Sequence, residues 1–410
     1  MQAVHFSRRS LIQGAAASLA LGAMPAVAKQ SDQFTPFSFH APDDVLSDLK
    51  RRLETVRFPE PATEPGFAQG PPIEKLQALT AYWRDRYDWR RTEARLNAWP
   101  QFKTEIDGLG IHFLHLRSRH DNALPIILTH GWPSTILLFQ DIIEPLTDPT
   151  AHGGKAEDAF HVVIPSLPGF GFSDKPKENG WNAERTARAW TELVRRLGYG
   201  RYVAQGGDWG AFVTTALAQQ KPQGLEAIHL NFAQTIPDKI PEKLEPDQKK
   251  ALEAYKAFQE TGFAYGMLQA TKPQLAGYLL SDSPMAQAAW LYDIFDGGTG
   301  ATGKPEDFLS LDAMLDEITL YWLSNSSASS ARFYHEQAAI LKGRNNPGVV
   351  ELPVGVTAFP HDLPPAKSWA PFVYPNLFYW NEPDRGGHFA QLEVPDLFVA
   401  ELRSCFSKFR

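Results

Sequence analysis

The spacing of hydrophobic and polar positions divides the chain into regions of different character. After Pro42-Asp43-Asp44, the residues Val45, Leu46, Leu49 and Leu53 fall on one face of a predicted helix, which Arg57-Phe58-Pro59-Glu60-Pro61 ends. Leu76, Leu79, Tyr82 and Trp83 mark a second helix, and Pro100 and Asp107-Gly108 mark turns. Residues 111–116 alternate apolar and polar, as a half-buried strand does. The pattern then changes. Short apolar runs at 124–128, 162–164 and 202–204 predict buried strands. A helix over 183–197, closed by Gly198, lies between the last two, and another over 211–219 follows Gly210. Strands alternating with helices predict a mostly parallel sheet covered on both faces. From 235 to 345 the pattern is mostly helical. Strand-like runs resume at 354–359 and 377–380, with a last helix over 397–406. The expected organisation is an α/β core (121–234 and 346–410), a helical lid inserted into it (235–345), and an N-terminal extension (34–120).

The first residues follow different rules. Ser7-Arg8-Arg9-Ser10-Leu11-Ile12 precedes an Ala-rich apolar run over 15–26, too short for a permanent bilayer span. Ala26-Val27-Ala28 places small residues at −3 and −1 of a cleavage site. The pattern is that of a bacterial twin-arginine export signal, an ordinary Sec signal with two arginines being the plainer alternative. The expectation is a signal over 1–28, a mature chain starting near Lys29, a periplasmic or secreted location, and no stable membrane span after cleavage.

Composition narrows the function classes. With 410 residues and 43% hydrophobic content, the chain has enough apolar material for a sizeable core. A net charge of −7 without a long basic run argues against a nucleic-acid surface. The lone Cys405 excludes a disulfide within the chain, and no Cys/His spacing of the zinc type occurs, so no metal or other cofactor is expected. Oligomeric state is not readable from these features.

The chemistry gathers at Gly206-Gly207-Asp208-Trp209-Gly210. A strand enters this segment and a helix leaves it, the arrangement of a nucleophile elbow with aspartate in place of serine. The outer glycines suit a turn too tight for a Cβ. Asp before a helix is also a common N-cap, the bland reading of the same residue. A carboxylate needs no base to ionise it, and it suits displacement at saturated carbon. The product is an ester of the enzyme, so a second step needs a histidine base and an orienting acid. His388 in Gly386-Gly387-His388-Phe389 fits the base, and Asp362 after the 354–359 strand fits the acid, with Asp384 as runner-up. This keeps the chain order nucleophile, acid, histidine. His130-Gly131-Trp132-Pro133 follows the 124–128 strand, where an oxyanion loop belongs. The backbone N–H groups of Trp132 and Trp209 are the expected donors; Pro133 has none to give, and His130 reads as a structural hydrogen-bonder.

Together these residues resemble the microsomal-type epoxide hydrolases, the group that includes the juvenile hormone epoxide hydrolases. The resemblance runs from about Phe34 to the C-terminus and covers Arg57-Phe58-Pro59, Tyr87-Asp88-Trp89-Arg90, the His130 loop, the segment from Pro165 to Ser173, the Asp208 elbow, Thr271-Lys272-Pro273, and Arg385-Gly386-Gly387-His388-Phe389. It implies an α/β-hydrolase fold with a helical lid and an N-terminal region wrapping the core. It also implies two lid tyrosines that hold and protonate the epoxide oxygen. Tyr334 in Arg332-Phe333-Tyr334-His335-Glu336 matches one; Tyr265, counted back from Thr271-Lys272-Pro273 across a small insertion, matches the other. The acid of this family is often Glu, and Asp362 keeps its charge. The implied reaction converts a small apolar epoxide and water to a vicinal diol without a cofactor. Two other readings stay open: a dehalogenase with the same Asp–His pair, which needs a halide cradle, and a hydrolase-fold protein used only for binding.

Overall fold

The computed structural model describes residues 34–410; the expected export signal lies outside them. Strands β1 (Thr35–Pro36), β2 (Gln101–Ile106), β3 (Leu109–Leu116), β4 (Leu124–Thr129), β5 (Phe160–Pro165), β6 (Tyr202–Gly206), β7 (Leu225–Leu230), β8 (Val354–Thr357) and β9 (Leu377–Asn381) form one nine-stranded sheet. Their order is β1-β2-β3-β5-β4-β6-β7-β8-β9. From β5 to β9 all pairings are parallel, while β1, β2 and β3 add an antiparallel edge. All of β5 is buried, which is why the parallel strands read as unbroken apolar runs.

Three elements go beyond the sequence pattern. β7 was hidden because Glu226 and His229 interrupt its apolar run. β2 carries Lys103 and Glu105 and reads as polar. It pairs with β3 through Asp107-Gly108, both at positive φ (53° and 74°), as a two-residue hairpin turn demands. The helix over Trp89–Ala98 follows Asp88, whose side chain accepts the Arg90 N–H at 2.9 Å. One expectation is corrected: β3 is not half-buried. His112, on its polar face, is fully buried and bonded to Ser166 (2.9 Å) and Gln101 (3.0 Å). The reason is that β3 lies inside the sheet and Phe37 of the N-terminal segment packs edge-on against the His112 ring, at 4.9 Å. Burial pushes His112 down to about 3, so it stays neutral.

The helices are α1 (Asp43–Glu54), α2 (Ile73–Asp85), α3 (Trp89–Ala98), α4 (Ile143–Thr147), α5 (Ala183–Arg196), α6 (Trp209–Gln220), α7 (Pro246–Ala257), α8 (Ala264–Thr271), α9 (Pro273–Asp282), α10 (Pro284–Gly298), α11 (Leu311–Ser324), α12 (Ser327–Leu341), α13 (Ala370–Val373), α14 (Ala390–Glu393) and α15 (Pro395–Phe406). Among the described residues, none is long and apolar enough to cross a membrane. The insertion between β7 and β8 holds α7 to α12. α5 shows how the local sequence settles an element. Asn182 accepts the Arg185 N–H, Arg195 and Arg196 complement the dipole in the last turn, and Gly198 at φ 81° follows the end. Its Trp190 is buried and donates to Thr129 at the end of β4, at 3.1 Å.

The N-terminal segment adds an edge to the sheet and braces the lid. Asp316 on α11 is buried and accepts from Tyr87 (2.7 Å), Thr92 (2.5 Å) and Arg95 (2.9 Å). Tyr82 and Arg91 reach Asp312 one turn earlier, at 3.0 and 2.7 Å. A buried carboxylate tied by three donors holds the two regions together, because removing a partner leaves charge buried without compensation.

The turn from β6 into α6 is the tightest point of the core. A Cβ at Gly206 would lie 2.1 Å from the Gly210 carbonyl oxygen, and one at Gly210 would lie 1.9 Å from the Thr129 carbonyl oxygen. Both contacts are with backbone, which cannot swing aside. We expect Gly206→Ala and Gly210→Ala each to lower unfolding free energy by at least about 3 kcal/mol, or to prevent folding. Gly200→Ala, with nothing within 4 Å of the new Cβ, should change it by less than about 0.5 kcal/mol. Urea titration of the three variants reads the difference.

Candidate active site

The carboxyl ends of four parallel strands deliver the site. β4 leads to His130-Gly131-Trp132, β6 to Asp208, β8 to Asp362 and β9 to His388. β4 lies between β5 and β6, so the sheet order reverses beside this point, where open α/β sheets bind ligands. Asp208 adopts φ 50° and ψ −129°, an uncommon conformation for a residue with a side chain. Its Oδ1 accepts the Trp132 N–H at 2.7 Å. Gly131 makes room for it: a Cβ there would lie 2.2 Å from that same oxygen. Trp209 is the first residue of α6, so its backbone N–H belongs to the helix start, beside the carboxylate.

His130 is structural, as expected. Its Nε2 accepts the Leu167 N–H at 3.1 Å, which puts the ring proton on Nδ1, facing the Gly131 carbonyl at 2.9 Å. Burial holds its pKa down at about 4, against the opposing pull of the Gly131 and Ser134 backbone.

His388 stands between two carboxylates. Its Nδ1 is 3.0 Å from Asp362 Oδ1, and its Nε2 is 3.5 Å from Asp208 Oδ2. Asp362 Oδ1 also accepts the Leu363 N–H at 2.8 Å. Burial pulls the imidazole down, but Asp362 and Asp208 outweigh it and hold it well above its ordinary value. Asp384 is exposed and takes no part in this pairing, so the geometry selects Asp362.

Tyr265 on α8 and Tyr334 on α12 converge above Asp208, their ring centroids 6.0 Å apart. Trp132 stacks on Tyr265 at 5.1 Å, and Trp209 meets Tyr334 edge-on at 4.6 Å. Burial raises both phenols, and the Asp208 charge raises them further, so both keep their protons at neutral pH. Asp208, both tyrosines and the aromatic walls Phe212, Phe232 and Phe263 line one cavity of about 310 Å³ under the lid. All the residues expected from the sequence are therefore brought together. Among the described residues, no group of three or more His, Cys, Asp or Glu side chains is arranged to hold a metal ion.

Two acids were not foreseen, one half-buried and one buried. Glu393, at the end of α14, accepts the Phe389 N–H at 2.9 Å; burial raises it to about 7, with the Asp362 charge adding to the rise. Glu317 on α11 accepts from Thr135 at 2.7 Å, and burial raises it to about 8. Neither lies in a recognisable motif. The one signal for Glu393 is an acid four residues after the residue whose N–H it binds.

Comparison with known proteins agrees with the fold and with the family resemblance. Residues 34–139 match the family described as epoxide hydrolase N terminus, and 125–283 match the alpha/beta hydrolase fold. A Stigmatella aurantiaca protein provisionally named an epoxide hydrolase is 58% identical over 92% of this chain and 85% of its own length. Epoxide hydrolase 1 of Sus scrofa is 34% identical over 93% of this chain and 90% of its own. The crystal structure of juvenile hormone epoxide hydrolase from the silkworm Bombyx mori superposes with a TM-score of 0.82 at 29% identity, covering 94% of this chain and 96% of that one. The chain belongs to the epoxide hydrolase family built on the α/β-hydrolase fold, in the group that carries this N-terminal region.

Proposed function

We propose that this protein adds water to a small apolar epoxide through an ester on Asp208, giving a vicinal diol. The observation that carries the reading is the placement of Asp208. One oxygen is held by the Trp132 N–H, the other faces His388, and two protonated tyrosines stand above it in an aromatic cavity. In the first step a carboxylate oxygen of Asp208 bonds to a ring carbon, and the ring C–O bond breaks. The alkoxide takes a proton from Tyr265 or Tyr334, because an alcohol is a weaker acid than a phenol even when the phenol is buried. A halide would need no such proton, which is why the tyrosines favour an epoxide over a haloalkane.

Charge bookkeeping explains how His388 becomes a base. In the free enzyme two carboxylates keep it protonated. Esterification removes the Asp208 charge while the tyrosine gains one. Passing the His388 proton to the tyrosinate leaves both neutral and frees Nε2. The imidazole then takes a proton from water as the oxygen adds to the ester carbonyl. The Trp132 and Trp209 N–H groups hold the oxyanion and Asp362 steadies the imidazolium. As the ester C–O bond breaks, the imidazolium proton passes to the departing diol oxygen, and the new Asp208 carboxyl returns its proton to His388.

The deciding experiment is a single turnover in heavy-oxygen water. The first diol should carry oxygen from the protein, with heavy oxygen entering Asp208; label going directly into the first diol would sink the ester mechanism. Tyr265→Phe and Tyr334→Phe should each slow ester formation by about 100-fold, and the double variant should abolish it, as rapid quench will read. His388→Gln should form the ester and fail to release it, seen as a lasting mass increase on intact protein.

The raised His388 also has a pH signature. Its proton stabilises the folded free enzyme fully below the ordinary histidine value of about 6.5, and that contribution is lost as pH rises through the raised value. The Tm advantage of the natural protein over His388→Gln should therefore shrink as pH climbs from neutral into the alkaline range. The Arg8-Arg9 signal further supports export to the periplasm by the twin-arginine route, with a mature N-terminus near Lys29; sequencing that terminus from a periplasmic fraction tests it.

A further inference from the structure

Glu393 lies five residues beyond His388, at the end of α14. Its Oε1 accepts the Phe389 N–H at 2.9 Å, and Gly387 packs against the same oxygen. His388's own N–H donates to the Gly298 carbonyl at the end of α10, at 2.9 Å. The Gly386 carbonyl accepts the His361 N–H at 3.1 Å, which ties this loop to the one bearing Asp362. Packing here is tight: a Cβ at Gly387 would lie 2.5 Å from the Gly298 oxygen and 3.1 Å from Glu393 Oε1. One carboxylate thus bonds the peptide after the histidine and packs against the glycine before it. Its other oxygen, Oε2, is buried without a hydrogen-bond partner among the described residues, as is Asp362 Oδ2.

We infer that Glu393 is a positioning residue for ester hydrolysis: it fixes the backbone on both sides of His388 so that Nε2 points at the Asp208 carboxyl carbon. This rests on the ester mechanism proposed above and extends it to one half-reaction. Attack by Asp208 needs Asp208 and the tyrosines in place, whereas cleavage of the ester depends on the aim of His388. Loosening the grip should therefore separate the two steps. A residue that merely stabilised the fold would slow both together.

The experiment measures both half-reactions in single turnovers with an epoxide that the natural protein turns over, quantifying the ester by mass spectrometry of quenched protein. Glu393→Ala should form ester at close to the natural rate and hydrolyse it about 100-fold more slowly, the penalty for a misplaced reacting group. Glu393→Gln keeps the accepting oxygen and should recover most of that loss. Should the alanine variant fail to fold, Glu393→Asp takes its place, because the shorter carboxylate keeps the charge and withdraws the acceptor. Hydrolysis at the natural rate in the Ala or Asp variant would overturn the inference. So would equal slowing of both steps, or a glutamine variant as slow as alanine. If the natural protein forms no ester at all, the mechanism above is what fails.

Discussion

Holding an L-residue at positive φ costs on the order of 1–3 kcal/mol, and this chain accepts that cost at Asp208. The rest of the structure is organised around keeping the strain in place. Backbone of α6 rests directly on the carbonyl of Thr129, so β4, β6 and α6 are fixed against one another at contact distance. The same contact sets the height of the loop after β4, and with it the Trp132 N–H that meets Asp208 at 2.7 Å. Nucleophile and oxyanion donor are therefore one rigid unit. The histidine arrives from elsewhere, on a loop tied to Asp362 through the His361–Gly386 contact and to the lid through Gly298.

Electrostatics gives that unit its direction. His388 is surrounded by more negative charge than it can neutralise, with Asp208 and Asp362 in contact and Glu393 behind them. The surplus makes the resting imidazole a poor base. In the proposed mechanism it improves when the Asp208 charge is converted to an ester, so the order of events follows from the charge count and needs no moving part. The tyrosines obey the same field: burial and the carboxylate beneath them keep their protons on, and in the proposed mechanism only an alkoxide formed beside them is base enough to take one.

Much of this was legible in the sequence, and what was not has identifiable causes. Asp208, Asp362, His388 and Trp132 each follow a strand directly, so strand patterning and short glycine-bearing motifs were enough to find them. The acid was a choice between Asp362 and Asp384 that only three-dimensional placement decides: Asp384 comes before the glycine pair that turns the chain inward, and it stays outside. Tyr265 and Tyr334 sit on different lid helices, 69 positions apart, and nothing in helical periodicity separates a phenol over a nucleophile from one in a core. Their assignment needed the family resemblance. β7 and β2 escaped because Glu226, His229, Lys103 and Glu105 break the apolar rhythm, although the sheet tolerates them. Glu393 and Asp316 escaped for a deeper reason. Asp316 finds its partners more than two hundred positions away, and Glu393 binds a backbone N–H, which any residue type could supply, so its four-residue spacing marks nothing by itself.

The brace between the N-terminal segment and α11 also bears on traffic. Lifting the lid as a rigid plate would strip Asp316 of Tyr87, Thr92 and Arg95 at once and leave a buried carboxylate without compensation. Any motion that leaves this seam closed avoids that cost, so the brace biases how the lid can move as well as where it rests.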